Sequence, residues 1–182
     1  MLTRYLYLPF TAAMGAILCL PQPALAQKGS KPLGILSATI GGQAYAGHTL
    51  EHPSEGTSTA NFRSIGPATQ ITVQAHDPKT KSAMHNVVTL DMTVMGKNAA
   101  ATVTSGSVSW WPKGMRQPFY INEGNETNTM VEIETLNLND SGQITGRFSS
   151  MLCKKTSMFA AVDTSDCLPI KGTFETTLRD SG

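Results

Sequence analysis

Apolar and polar residues alternate along most of this chain with a period of two. In residues 68–77, Ile71, Val73 and Ala75 fall on one side, and Thr72, Gln74 and His76 on the other. In residues 87–95, Val88, Leu90, Met92 and Val94 form a second apolar row. Successive side chains of a strand point to opposite faces, so the pattern predicts strands with one face on a core. Residues 33–40 and 43–50 are two more strands, joined by Gly41-Gly42, which suits a two-residue hairpin turn. Short strands are predicted at 101–103, 106–111 and 119–121. Within 129–138 the apolar residues change face between Ile133 and Leu136, which predicts a bulge. Residues 51–67 are polar and show no period, and are expected to be loop. No segment of helical length has a helical period; a single turn at most is expected within 157–162. Eight or more short strands predict an all-β fold, a single antiparallel β-sandwich or barrel-like domain.

The clearest pattern occurs twice near the end of the chain. Residues 144–152 and 170–178 both read I-x-G-x-F-x-x-x-L, with Cys153 directly after the first copy and Cys167 just before the second. In each copy Ile, Gly, Phe and Leu share one face. Pairing the copies antiparallel with Cys153 opposite Cys167 puts Gly146 opposite Phe174, Phe148 opposite Gly172 and Leu152 opposite Leu168. Each ring would cover the other strand's glycine. On this register a side chain added at either glycine should collide with the covering ring. Met151 would face Pro169, whose missing N–H is tolerable only where that side of the strand is open. Cys153 and Cys167 are predicted to form a disulfide.

Residues 1–26 read as a signal peptide. Arg4 supplies a positive start, residues 6–20 are mostly apolar, Pro21 and Pro23 break the run, and Ala24-Leu25-Ala26 fits a cleavage site before Gln27. Leu18 is large where lipidation at Cys19 would need a small residue. Cleavage leaves a flexible leader at 27–32 and one domain over 33–182, with no transmembrane segment. The whole chain holds 14 Lys and Arg against 13 Asp and Glu, and loss of Arg4 balances them. That excludes the strong basic field of a nucleic-acid-binding protein. Two cysteines remain, an even count that fits one disulfide in an exported, periplasmic or secreted protein.

A T-I-G-G-Q-A-Y opening at 39–45, I-T-V-Q-A at 71–75, and the closing I-T-G-R-F and I-K-G-T-F together resemble a group of uncharacterised bacterial secreted proteins and lipoproteins. The resemblance implies an exported all-β domain ending in paired G-x-F strands. It implies no activity and no catalytic residues.

Candidate chemistry is sparse. His48-Thr49-Leu50-Glu51-His52 matches H-x-x-E-H, which in metalloproteases needs a helix to bring both His to one metal. Here Pro53 follows and the stretch alternates as a strand. A looser copper or zinc site would have to draw His48 and His52 together with His76 or His85. Trp110, Trp111 and Tyr120, near Phe119, form the aromatic cluster, with one Trp expected in the core and the other exposed or under a loop. The exposed one beside Tyr120 could stack on a sugar or an apolar ligand. The methionines at 84, 92, 95, 115, 130, 151 and 158 are expected to fill the core. The reading is an exported non-enzymatic β-domain that binds a small ligand, glycan or envelope protein, or supports an envelope assembly. It needs no cofactor and no nucleic acid. The alternative is a periplasmic metal-dependent or hydrolytic enzyme using the His48–Glu51–His52 stretch.

Overall fold

The computed structural model describes residues 29–98, 100–115, 118–138 and 142–182; the expected signal peptide at 1–26 and residues 139–141, where a turn was expected, lie outside them. The described residues form eleven strands: β1 (Lys31–Ile40), β2 (Gln43–His52), β3 (Thr57–Ser58), β4 (Ala60–Ile65), β5 (Ala68–His76), β6 (Val87–Met95), β7 (Thr102–Trp111), β8 (Phe119–Ile121), β9 (Met130–Asn137), β10 (Gly142–Lys155) and β11 (Asp163–Asp180). A single 3-10 turn, Glu126–Asn128, separates β8 from β9. The fold is all-β.

One sheet holds all eleven strands, and it closes on itself through β11–β4–β5–β6–β7–β8–β10 and back to β11. Closure depends on the two longest strands being shared along their length. β10 pairs with β11 on one edge; on the other it pairs first with β9 (residues 143–149), then with β8 (residues 153–155). β11 likewise pairs with β1 over 170–176 and then, in parallel, with β4 at Arg179 and Asp180. Among the described residues that parallel contact is the one departure from an antiparallel barrel. The enclosed core runs from Leu36 and Ile40 through Ile71, Val73, Leu90, Val94 and Val108 to Ile144, Phe148, Leu152, Ile170 and Phe174.

The repeat forms the hairpin expected of it. Cys153 is opposite Cys167 and disulfide-bonded to it; Gly146 faces Phe174, Phe148 faces Gly172, Leu152 faces Leu168 and Met151 faces Pro169. Pro169 lies where β1 ends, and its carbonyl accepts the N–H of Gly41 in the β1–β2 turn. Gly41 and Gly42 there both have positive φ, 55° and 87°, as a primed hairpin turn requires.

The role of the two glycines differs from expectation in one respect. A Cβ on Gly146 would come within 2.7 Å of the Phe174 ring and would also overlap the Glu132 carbonyl. A Cβ on Gly172 would instead strike β1, overlapping the Ser37 carbonyl and reaching 2.8 Å from the Ala38 methyl. Gly172 therefore serves the close approach of β1 to β11. Both Gly146→Val and Gly172→Val are expected to destabilise by ~1–3 kcal/mol or more, because rigid backbone is struck in each. Shortening Phe174 should partly rescue only the first, a difference that urea melts of the single and double variants will show.

Four local readings are corrected. Residues 51–67 contain β3 and β4, and Ala60 and Phe62 are buried opposite Val73 and Ile71. β7 is one strand, its pairing with β6 interrupted at Thr104, where the polar run Thr104-Ser105 divided it in the sequence. β1 begins at Lys31, inside the expected leader, because Lys31 and Pro32 pair with β2 while β11 joins only from Gly34. Of the seven methionines only Met92 is core; the other six are exposed. The expected bulge in β9 is present, with Glu134 left unpaired between Ile133 and Thr135.

Candidate functional site

Three loops leave the barrel at the same end. His76 pairs with Val87, Val87 with Trp111, Trp110 with Tyr120, and Phe119 with Lys155. The described loop residues 77–86, 112–115 and 156–162 therefore stand side by side. The exposed large apolar side chains on these loops are Met84 (43%), Met115 (62%), Met158 (58%) and Phe159, which is fully exposed at 101%.

Polar groups fix the first loop. The Asp77 carboxylate accepts the Lys79 N–H at 2.8 Å and the Asn86 amide at 2.7 Å. Asn86 has φ +52°, a region that Asn tolerates better than most residues. Its N–H donates to the Pro112 carbonyl, and its side-chain oxygen accepts the Trp110 indole N–H at 2.9 Å. The first loop is thus tied to the second, and His85 packs where a side chain on Gly114 would sit.

The aromatic cluster supports this end from below. Trp110 stacks on Tyr120 at 5.5 Å, and Trp111 lies parallel to Phe119 at 4.0 Å. Trp110 packs against the core, as expected of one member of the pair. Trp111 is half-buried and covers the buried Phe119 on the outer side. Trp110, Trp111 and Tyr120 thus each turn one ring face to an aromatic neighbour. Burial raises the Tyr120 phenol above its ordinary value, and the negative charge of Asp166 adds to this.

The third loop rises from a braced stem. Tyr120 pairs with Lys154, Lys154 bonds Asp166 at 2.9 Å, and the disulfide lies just below. Lys155 is buried against Glu123, and Asn125 reaches the Cys153 sulfur at 3.2 Å. The loop itself makes one turn bond, Ala160 N–H to the Ser157 carbonyl. This is the single turn the sequence allowed.

The four histidines do not form one cluster. His48 pairs with His76 across β2 and β5, His52 lies four residues along β2, and His85 sits in the first loop. Among the described residues no three His, Cys, Asp or Glu side chains gather at metal-binding distance. H-x-x-E-H lies on a strand, where Glu51 bonds Arg179 at 3.2 Å. A broad groove of about 740 Å³, bordered by Thr72, Asp91, Thr104, Ser107 and Glu123, contains neither Trp nor Tyr.

His76 carries a pH dependence. Its ring points outward, as the alternation required, but the first loop covers it. Nδ1–H donates to the Ala83 carbonyl at 2.6 Å, and Nε2 is buried without a partner. Burial lowers its pKa below 6.5, the Ala83 bond opposes this, and His52 adds to the lowering. The unfolded chain therefore takes up a proton before the folded chain does. Stability should be unaffected above pH 6.5 and fall as the pH drops from there through the lowered folded value. Urea midpoints at about pH 7.5 and about pH 5 should differ by less in His76→Asn, which keeps a donor for Ala83 and loses the titration.

No protein-family model, curated protein or solved structure matches the chain. Among the described residues no helix is long and apolar enough to cross a membrane.

Proposed function

We propose that this chain is an exported, non-enzymatic binding domain that docks through the loop end of its barrel onto a component of the cell envelope. The observation that carries the reading is Phe159. A large apolar side chain with no covering atoms is kept where it is by a disulfide and an ion pair at the base of its loop. Exposing it costs solvation and gains nothing in the isolated fold. Met158, Met115 and Met84 extend the same apolar end, and methionine adapts to varied partners. The disulfide requires an oxidising compartment to persist. Together with the leader read in residues 1–26 and the resemblance to exported bacterial proteins, it supports a periplasmic or secreted location.

Two measurements test the reading. The intact mass of exported protein should correspond to a chain beginning at Gln27. The exported protein should sediment with washed envelope fragments from its host, and Met158→Ser/Phe159→Ser should remain in the supernatant while melting at the wild-type temperature. Equal sedimentation of the two proteins would refute docking through this end.

A further inference from the structure

We infer that the partner of the loop end is a lipid bilayer surface bearing anionic headgroups. This rests on the docking reading above and names what the end docks to. Shape is the first argument. Met84, Met115, Met158 and Phe159 project from three separate loops, and none of them borders the grooves on the barrel wall. A bound helix needs a groove, and an added strand needs an open sheet edge. Apolar side chains standing out singly from a rigid end suit the boundary between headgroups and acyl chains, which such groups enter by about 5–10 Å.

Charge is the second argument. Lys79, Lys81 and Lys113 are exposed on the same loops and form no ion pair among the described residues. Two of the acids nearby are paired with lysine, and the other two keep their charge at the bases of the loops, away from the tips. Asp77 holds the Lys79 N–H and the Asn86 amide, Asp163 holds the Ser165 N–H and hydroxyl, Asp166 holds Lys154, and Glu123 holds Lys155. The end therefore presents lysines around apolar tips, the combination that binds anionic membranes when neither element would hold alone. Rigidity is the third. The Asn86 bonds, the aromatic stacks and the disulfide order the loop bases in advance, so docking costs little conformational entropy there.

The test is co-sedimentation of the exported protein with vesicles of phosphatidylethanolamine and phosphatidylglycerol, and with vesicles of phosphatidylcholine alone. Binding is expected to the first and not to the second. Phe159→Ser should weaken it by about tenfold, and Met115→Ser, on a different loop, should act in the same direction. Each of Lys79→Gln, Lys81→Gln and Lys113→Gln should weaken it by about fivefold in low salt, and raised salt should weaken wild type similarly. Equal binding to both vesicle types would overturn the anionic assignment. No vesicle binding alongside intact retention by envelope fragments would overturn the bilayer and leave a protein or wall polymer as the docking partner. A dimer abolished by Phe159→Ser, without vesicle binding, would overturn it in favour of a second copy of this chain. Loss of both vesicle binding and envelope retention would remove the docking reading as well.

Discussion

Phe174→Ala is expected to cost ~3–5 kcal/mol of folding stability, with Phe148→Ala close behind. Both rings are almost wholly buried. They lie 6.4 Å apart and tilted by 44°, within the range where aromatic pairs add to simple burial. The Phe174 ring also occupies the space left by Gly146. Removing the ring opens a void beside a residue with no side chain to move into it, so relaxation should recover little. Against a total stability of about 5–15 kcal/mol the loss is large enough to populate the unfolded chain near physiological temperature.

Reduction of Cys153–Cys167 should cost less. The bridge joins residues already paired in register, and its sequence separation is only 14. Loop-closure entropy for such a span is worth ~3 kcal/mol at most, less if the reduced chain retains structure. The expected order of urea midpoints is therefore wild type, then reduced wild type, then Phe148→Ala and Phe174→Ala. Non-reducing peptide maps should recover Cys153 linked to Cys167. Free thiols at both positions would refute the disulfide, and a Phe174→Ala protein as stable as the reduced wild type would show that the rings are not the main support of this hairpin.

The features that were legible in the sequence are those that repeat at period two over a full strand. The β10–β11 register followed from two cysteines and two Phe/Gly pairs, because a slip of one residue would have turned Ile144, Phe148 and Leu152 out of the core. The bulge at Glu134 was visible for the same reason. β4 was hidden because only Ala60 and Phe62 mark its buried face and neither neighbour is distinctive. Its place is set by β5 and by the end of β11, contacts that no local pattern records. His76 was placed on the correct face but not in its environment, since alternation does not show that a loop folds back over a strand.

The loop end was partly legible. Trp110, Trp111 and Tyr120 were singled out as contact residues, and they lie at the loop end, but they support it from beneath. Phe159 and the methionines were passed over because apolar side chains are ordinarily assigned to a core. The available signal was position. Met158-Phe159 stands between two cysteines, in a loop too short to return those side chains to the core.

Asn122 is the residue whose weight the sequence concealed most fully, and Asn122→Ala is expected to cost ~2–4 kcal/mol. It follows β8 directly and reads as the start of a polar loop, yet it is 1% exposed. Its side-chain oxygen accepts the Val108 N–H at 3.1 Å and the Ser107 hydroxyl at 3.2 Å. Its amide donates to the Gly106 carbonyl at 3.3 Å and to the Thr129 hydroxyl at 2.7 Å. Thr129 in turn shares a 2.7 Å bond with Ser150 on β10. One amide thus joins β7, the segment entering β9, and β10, where β8 is only three residues long and offers few ladder bonds. Truncation leaves the buried Val108 N–H without this acceptor, and such a loss exceeds the net worth of the bonds themselves. Asn122→Asp supplies the sharper control. The carboxylate keeps an acceptor for Val108 but loses both donors and buries a charge against the Gly106 carbonyl. Its folded pKa should rise above the unfolded value of about 3.9, so the variant's deficit relative to wild type should be smallest in acid and grow as the pH rises from there. Urea melts of Asn122→Ala at neutral pH, and of Asn122→Asp from about pH 3 to about pH 7, give both results. An alanine variant within about 1 kcal/mol of wild type, or an aspartate variant whose deficit does not grow with pH, would mean that water replaces the amide and that β8 is held by its ladder and the Trp110–Tyr120 stack.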